Sequence, residues 1–246
     1  MDPAVQRLLA ARQRPARRPV MHQRWDELFF LHWRVDPAEV AKLLPPGLTV
    51  DTFGGETYLG VVGFQMNAVR PAGLPALPWL SYFNELNVRV YVRDASGEPG
   101  VWFLSLDCDR DPAVRIARAG FGLPYQHARM SHRRQGEGWA LDCLRDGHAH
   151  AARYAWRSLD APAPAAPGTL LFHLAERYNF FSVRRGKLLR GQVHHAPYLL
   201  SAAELTAWSE QPVEWDGFPL AGRAPDLVHA SPGVTVEAFG LVPAHA

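Results

Sequence analysis

Short stretches of apolar residues recur along the chain and are separated by turn-forming residues. The stretch Glu27 to Val35 is aromatic and apolar, and Asn84 to Tyr91 alternates between polar and apolar side chains. Runs of this length and pattern, bounded by Gly, Pro, Asp or Ser, are typical of β-strands. The pattern predicts strands over 27–35, 48–53, 58–66, 83–92, 101–106, 125–130, 138–144, 148–156, 178–183 and 188–194.

Only a few short helices are predicted beside these strands. Asp36-Pro37-Ala38-Glu39 places an N-cap, a proline at the first helical position and a capping-box acid in order, and Asp111-Pro112 is a second such start. Asp2-Pro3 predicts a short capped helix at the beginning of the chain. A Gly54-Gly55 turn predicts a hairpin over 48–66. The total predicts an α+β fold, built on a largely antiparallel β-barrel or curved sheet with short flanking helices.

We expect one folded domain over residues 19–246, preceded by a basic lead-in over residues 1–18. The lead-in contains five arginines and one acid, so a basic arm or a targeting peptide is the alternative interpretation to a surface helix. The Pro- and Ala-rich segment 161–167 resembles a linker, but the strands and helix predicted after it are too few for an independent core. We therefore interpret that segment as a long loop within the domain.

Composition narrows the class of protein. The chain has 246 residues, a formal net charge of +2 and 48% hydrophobic residues, as expected of an ordinary globular protein. The balanced charge argues against nucleic-acid binding, and no apolar run approaches the roughly 18–20 residues that span a membrane. The two cysteines form no CxxC pair or disulfide framework. We expect a cytoplasmic protein.

The strand around residue 87 contains the strongest candidate site. Alternation places Glu85, Asn87 and Arg89 on one face and apolar residues on the other. In a barrel the polar face could line an internal cavity, because one face of each strand points inward. The alternative is a solvent-facing surface with an ion pair.

Other motifs for catalysis or cofactor binding are weak or absent. His148 and His150 share a strand face, but no further ligand at suitable spacing completes a metal site. No Gly-x-Ser-x-Gly or Gly-rich phosphate loop is present, so we expect neither a nucleotide cofactor nor a metal. His32 lies in an apolar strand, and at most one of His194 and His195 can face a shared pocket. Lys42 and Lys187 are the only lysines.

Several ordered phrases resemble the YqjF-like family, DUF2071, over residues 19 to about 240. They are Gln23-Arg24-Trp25, Leu31-His32-Trp33, Leu44-Pro45-Pro46-Gly47-Leu48, Phe83 to Arg89, Phe103 to Asp107, Leu123-Pro124-Tyr125 and Glu176-Arg177-Tyr178. That family resembles the acetoacetate decarboxylase-like superfamily more distantly. The resemblance implies a β-barrel or cone around an internal pocket.

The resemblance also implies that decarboxylase chemistry is lost. Tyr125 stands where the Schiff-base lysine of a decarboxylase is expected, and Gln126 replaces a second lysine. The decarboxylase needs a lysine amine that is kept neutral by desolvation and a neighbouring cation, and a phenol cannot form the iminium that such an amine forms. The candidate catalytic residues are Glu85, Tyr125 and His32. The candidate ligand-binding residues are Arg89, Asn87, His195 and Tyr178.

Three functions fit these observations. The first is a cofactor-independent lyase, hydratase or isomerase acting on a small carbonyl or carboxylate compound, with Glu85 as acid and base, Arg89 as anion clamp and Tyr125 as donor. The second is a non-catalytic ligand-binding protein. The third uses the aromatic-rich surface, with eight tryptophans in the chain, for contacts within a homo-oligomer.

Overall fold

A computed structural model describes residues 2–245, apart from the side chain of Ile116. Strands dominate it, and the helices are short. The strands are β1 (Met21–Val35), β2 (Leu48–Val50), β3 (Thr57–Pro71), β4 (Phe83–Asp94), β5 (Pro99–Cys108), β6 (Tyr125–Gln135), β7 (Gly138–Arg145), β8 (Ala152–Ser158), β9 (Ala163–Pro164), β10 (Asn179–Arg184), β11 (Lys187–His194), β12 (Leu199–Ala207) and β13 (Leu227–Pro243). The helices are α1 (Pro3–Ala11), α2 (Pro37–Ala41), α3 (Asp111–Phe121), α4 (Leu170–Ala175) and α5 (Gln211–Trp215).

The strands close into a ring. Its order is β4-β3-β1-β13-β11-β10-β5, and β5 then pairs with β4. From β5 the sheet continues through β6, β7 and β8 to β12, which pairs again with β13. β5 pairs in parallel with β10 and β6, whereas the other pairings among the described strands are antiparallel. This confirms the α+β fold with a largely antiparallel, ring-forming sheet.

The predicted hairpin over residues 48–66 is wrong, and the set of predicted strands is incomplete. Residues 48–66 do not form a hairpin, because β2 pairs with β4, from Leu48 opposite Asp94, and only a Phe53–Glu56 bridge surrounds the glycine turn. The reason is that β3 already has β1 on one edge and β4 on the other. The strands β12 and β13 lie beyond the last predicted strand, and β13 completes the ring between β1 and β11.

The alternation of β4 separates the apolar core from the cavity. Leu86, Val88 and Val90 are fully buried in one hydrophobic layer with residues of β1, β3, β7 and β8. Glu85 and Arg89, on the opposite face, are also buried. The polar face of β4 therefore points into the interior of the ring and not into solvent.

The N-terminal segment packs on this domain. The Asp2 carboxylate accepts a hydrogen bond from the Ala4 amide at 2.8 Å, as the predicted cap requires, and Leu8 and Ala11 of α1 are buried. Arg14 forms an ion pair with Glu237 of β13 at 2.6 Å. Within residues 2–245, no helix is long and apolar enough to cross a membrane.

Candidate functional site

A cavity of about 210 Å³ lies inside the ring. Strand β4 contributes Glu85, Asn87 and Arg89 to its wall, and Tyr125 reaches it from the start of β6. Most of the remaining wall is apolar. The apolar side chains include Trp25 and Leu28 of β1, Val62, Phe64 and Met66 of β3, Phe83 of β4, Phe103 and Leu106 of β5, Phe180 of β10 and Val193 of β11.

Glu85 is the central acid of the cavity. Its Oε2 accepts a hydrogen bond from the Tyr125 hydroxyl at 2.7 Å, and its Oε1 accepts one from Asn87 Nδ2 at 3.4 Å. Burial raises the pKa of Glu85 from 4.5 to about 7, while the two hydrogen bonds oppose this rise by stabilising the carboxylate. Glu85 can therefore exchange a proton near neutral pH.

Arg89 supplies a buried positive charge at the same wall. Only 8% of the residue is exposed, and no carboxylate within residues 2–245 lies within 4.0 Å of its guanidinium. The guanidinium lies 5.8 Å and 5.7 Å from the ring centres of Phe30 and Tyr91, and Nη2 donates to the Leu174 carbonyl at 3.4 Å. A buried cation without an anionic partner is suited to hold a ligand anion.

Arg177 also lines the cavity, although its chemistry was not predicted. It follows α4, and its Nη1 donates to Asp51 Oδ2 at 2.6 Å. Its guanidinium lies 5.1 Å from the centre of the Tyr91 ring, so Arg89 and Arg177 share one aromatic neighbour. The only sequence signal was its place in the phrase Glu176-Arg177-Tyr178, which carried the family resemblance but no role.

The structure places His32 outside the cavity wall. It is fully buried, and its Nε2 shares a hydrogen bond of 2.7 Å with the Tyr91 hydroxyl. Burial, together with the charge of Arg89, holds the pKa of His32 well below its usual value. His32 is thus a neutral neighbour of the ring that Arg89 and Arg177 contact, one side chain removed from the cavity.

Tyr178 lies on the wall, whereas His195 lies behind it. The two rings stack with centres 4.6 Å apart. The Tyr178 hydroxyl donates to the Glu176 carboxylate, and His195 Nδ1 lies 2.7 Å from the Ala196 carbonyl. Burial lowers the pKa of His195 to about 4, so the ring is neutral near pH 7. His195 can position Tyr178 but does not itself line the cavity.

The wall contains no lysine. Lys42 is exposed on α2 beside Glu39, and Lys187 is exposed at the start of β11. The phenol of Tyr125 stands in the cavity where the resemblance implies a lysine, and it is hydrogen-bonded to the Glu85 carboxylate. A lysine Schiff base cannot form in this cavity, as the sequence resemblance implied. Within the described residues, no group of three or more His, Cys, Asp or Glu side chains is arranged to hold a metal ion.

The ring of strands and its internal cavity define an acetoacetate decarboxylase-like fold. Solved structures show the same architecture. The enduracididine biosynthesis enzyme MppR complexed with pyruvate is similar with a TM-score of 0.60 and 15% identity, covering 93% of this chain and 90% of that one. Acetoacetate decarboxylase from Legionella pneumophila is similar with a TM-score of 0.60 and 13% identity, covering 92% and 88%. At these identities the likeness concerns the fold alone.

Within that fold, the chain belongs to the DUF2071 family of uncharacterized conserved proteins, whose model matches residues 22–235. It is 37% identical over 186 residues to the uncharacterized protein YqjF of Bacillus subtilis strain 168. That match covers 75% of this chain and 76% of the relative. The family predicted from the ordered phrases is therefore confirmed.

Proposed function

We propose that the protein binds a small carboxylate or carbonyl compound in the cavity and catalyses proton transfer on it without a cofactor, as a lyase, hydratase or isomerase. One observation carries the proposal. Glu85 and Tyr125, hydrogen-bonded at 2.7 Å, line the same buried cavity as Arg89, a guanidinium without a carboxylate within 4.0 Å among the described residues. An acid–base pair and an anion clamp on one wall are the minimum for such chemistry.

The proposed reaction begins with Glu85 as a carboxylate. Glu85 removes a proton from the carbon next to the substrate carbonyl, the C–H electron pair becomes the C=C bond of an enolate, and the carbonyl π pair moves onto oxygen. Tyr125, which donates to Glu85 in the resting site, then donates to the enolate oxygen. In a β,γ-unsaturated substrate the intermediate is a dienolate, and protonated Glu85 returns the proton to its γ-carbon. The C=C bond then lies between the α- and β-carbons, the electron pair on oxygen re-forms the carbonyl, and no other reactant is needed.

Non-catalytic ligand binding is the second candidate. Both oxygens of Glu85 already accept hydrogen bonds, from Tyr125 and Asn87, and this would also suit a static wall. The two functions share the ligand site and differ only in whether Glu85 exchanges a proton with the ligand.

Deuterium exchange into 2-oxo acids separates these functions. Pyruvate or 2-oxobutanoate is incubated with the protein in D₂O, and loss of the signal of the hydrogens on C3 is followed by proton NMR. We expect the wild type to accelerate exchange, Glu85→Gln to lose about 100-fold or more of that rate, and Tyr125→Phe to lose less. Tyr154→Phe is the matched control, because Tyr154 does not line the cavity. Its hydroxyl donates to the Ser209 carbonyl at a distance of 2.8 Å.

Thermal unfolding in the presence of the same compounds completes the test. A ligand present at a hundred times its Kd stabilises the folded state by about 2.7 kcal/mol, which is readily measured. A stabilising compound that shows equal exchange with the wild type and Glu85→Gln would establish binding and refute catalysis. A variant that no longer unfolds cooperatively would be replaced by Glu85→Asp, which keeps the carboxylate but moves it back from Tyr125.

A further inference from the structure

The polar side chains of the cavity follow one another along a single strand. On β4 the cavity meets a cation, an amide, an acid and then a phenyl ring, in the order Arg89, Asn87, Glu85 and Phe83. Alternate residues of a strand are about 7 Å apart, so this row is about 20 Å long at the backbone. On the neighbouring antiparallel strand β3, the residues opposite these four are, in the same order, Gly60, Val62, Phe64 and Met66. A ligand lying along β4 therefore meets a fixed order of chemical groups.

The cation at one end calls for a single negative charge. Arg177 also lines this part of the wall, but Asp51 accepts from it at 2.6 Å and both side chains are buried. Asp51 pairs with Arg177 and also with Arg93, whose side chain is 35% exposed to solvent, while Arg89 has no carboxylate partner among the described residues. One carboxylate on the ligand balances this charge.

The amide in the middle calls for a hydrogen-bond donor on the ligand. Asn87 Nδ2 donates to Glu85 Oε1 at 3.4 Å. This contact fixes the orientation of the Asn87 amide, because a carboxylate can accept a hydrogen bond only from its NH₂ group. Asn87 Oδ1 is consequently left as an acceptor, buried and without any partner in residues 2–245. A buried acceptor without a donor is costly, and a ligand hydroxyl would satisfy it.

The opposite end of the row is mainly apolar. Beyond Glu85 the wall contains Phe83, Met66, Trp25, Val69 and Leu80, and the last three of these are half-exposed; the half-exposed side chains of Gln23 and Arg70 also line this end. The cavity of about 210 Å³ is larger than the roughly 150 Å³ that accommodates a benzene molecule in an engineered protein cavity. There is room for one ring and a short polar head.

We propose that the ligand of this cavity is a hydroxy monocarboxylate with an apolar body about the size of an aromatic ring. The carboxylate binds Arg89, the hydroxyl donates to Asn87 Oδ1, and the apolar body contacts Leu106 and Phe64, which lie opposite Asn87 and Glu85 on the neighbouring strands. This assignment rests on the proposed function, since it names the class of compound that the same site takes. It places the carbons between the carboxylate and the body within reach of Glu85 and Tyr125.

Four matched compounds test the assignment by isothermal titration calorimetry. The probe is 3-phenyllactate, and the others each lack one group: 3-phenylpropanoate lacks the hydroxyl, lactate lacks the ring, and 3-phenyllactamide lacks the charge. We expect 3-phenyllactate to bind most tightly. Each other compound should bind at least about tenfold more weakly, because a buried polar group or an apolar surface of the wall loses its partner.

The variant Asn87→Leu tests the hydroxyl contact separately. The leucine side chain is of similar size and has no acceptor, so the preference for 3-phenyllactate over 3-phenylpropanoate should disappear. Tyr154→Phe should keep it. Persistence of the preference in Asn87→Leu would overturn the assignment of the hydroxyl to Asn87. If that variant does not fold, the wild-type comparison of the two compounds still decides, since equal affinities overturn the assignment.

The outcomes distinguish this inference from the proposed function. If pyruvate and all four compounds fail to bind, the carboxylate site itself is refuted and both proposals fall. If lactate, 3-phenylpropanoate and 3-phenyllactate bind equally well, the carboxylate site stands and the hydroxy-acid assignment is refuted. A graded series led by 3-phenyllactate supports the assignment.

Discussion

Glu85 should make the stability of the protein depend on pH. Burial raises its pKa in the folded state from 4.5 to about 7, so the folded state holds its proton more tightly than the unfolded state does. The resulting stabilisation is complete below about pH 4.5 and is lost as the pH rises through 7. The free energy of unfolding should therefore fall by roughly 3 kcal/mol across this window relative to a protein without the group.

Urea unfolding of the wild type and Glu85→Gln between pH 4.5 and 8 measures this effect. The glutamine variant cannot ionise, so the difference in unfolding free energy between it and the wild type should grow in favour of the variant as the pH rises. Glu39→Gln changes an exposed acid on α2 and serves as the control that follows the wild type. A constant difference between wild type and Glu85→Gln would contradict the raised pKa.

At the scale of elements, Gly63 allows β3 to pack against β1. A Cβ at this position would lie 2.4 Å from Cε1 of Phe29, whose fully buried ring also packs against Tyr154 and Trp156. We expect Gly63→Ala to lower the free energy of unfolding by about 1–3 kcal/mol, because the ring has nowhere to move. Urea unfolding measures the loss, and Gly120→Ala in α3 is the control.

The control variant Gly120→Ala is not expected to lower the free energy of unfolding. A Cβ at Gly120 meets no atom within 4 Å, and alanine favours a helix by roughly 0.5–1 kcal/mol over glycine. Gly120→Ala should leave stability unchanged or raise it. Equal losses in the two variants would show that packing around Phe29 does not set the cost at Gly63.

The elements differ in how far the sequence determines them. The alternation of β4 was sufficient to place Glu85, Asn87 and Arg89 together on one face, because strand periodicity is a local property. The partner of β2 was not predictable, since the glycine turn favoured β3 while β3 was needed by two other strands. Turn chemistry describes neighbours in sequence and cannot decide competition between distant strands.

At the scale of the whole molecule, ring closure decides which residues share the cavity. Tyr125 was placed in the site through family resemblance, and its hydrogen bond to Glu85 joins residues 40 positions apart. Arg177 and Asp51 are separated by 126 positions and meet only because α4 and the segment after β2 lie at the same end of the ring. Such nonlocal pairs leave no periodic signal in one sequence, so Arg177 was missed.

A buried charge cluster joins β5, β7 and the residue after α5. Arg145, at the end of β7, donates to Asp107 of β5 at 2.7 Å and to Asp216, after α5, at 2.7 Å. All three side chains are at most 8% exposed. Removing the arginine alone leaves two buried carboxylates without a cation, so Arg145→Met should lower the free energy of unfolding by about 3–5 kcal/mol.

The loss of stability in Arg145→Met should depend on pH and on the presence of the Asp107 and Asp216 carboxylates. Burial already raises the pKa of Asp107 while Arg145 opposes that rise, so without Arg145 the Asp107 carboxylate should take up a proton more readily. The deficit of Arg145→Met should therefore shrink as the pH is lowered from about 7 to 5, and it should also shrink when Asp107→Asn and Asp216→Asn are added. Urea unfolding of these variants measures both trends. A deficit below about 1 kcal/mol for Arg145→Met at neutral pH would mean that solvent reaches the two carboxylates and that the cluster does not hold β5, β7 and α5 together.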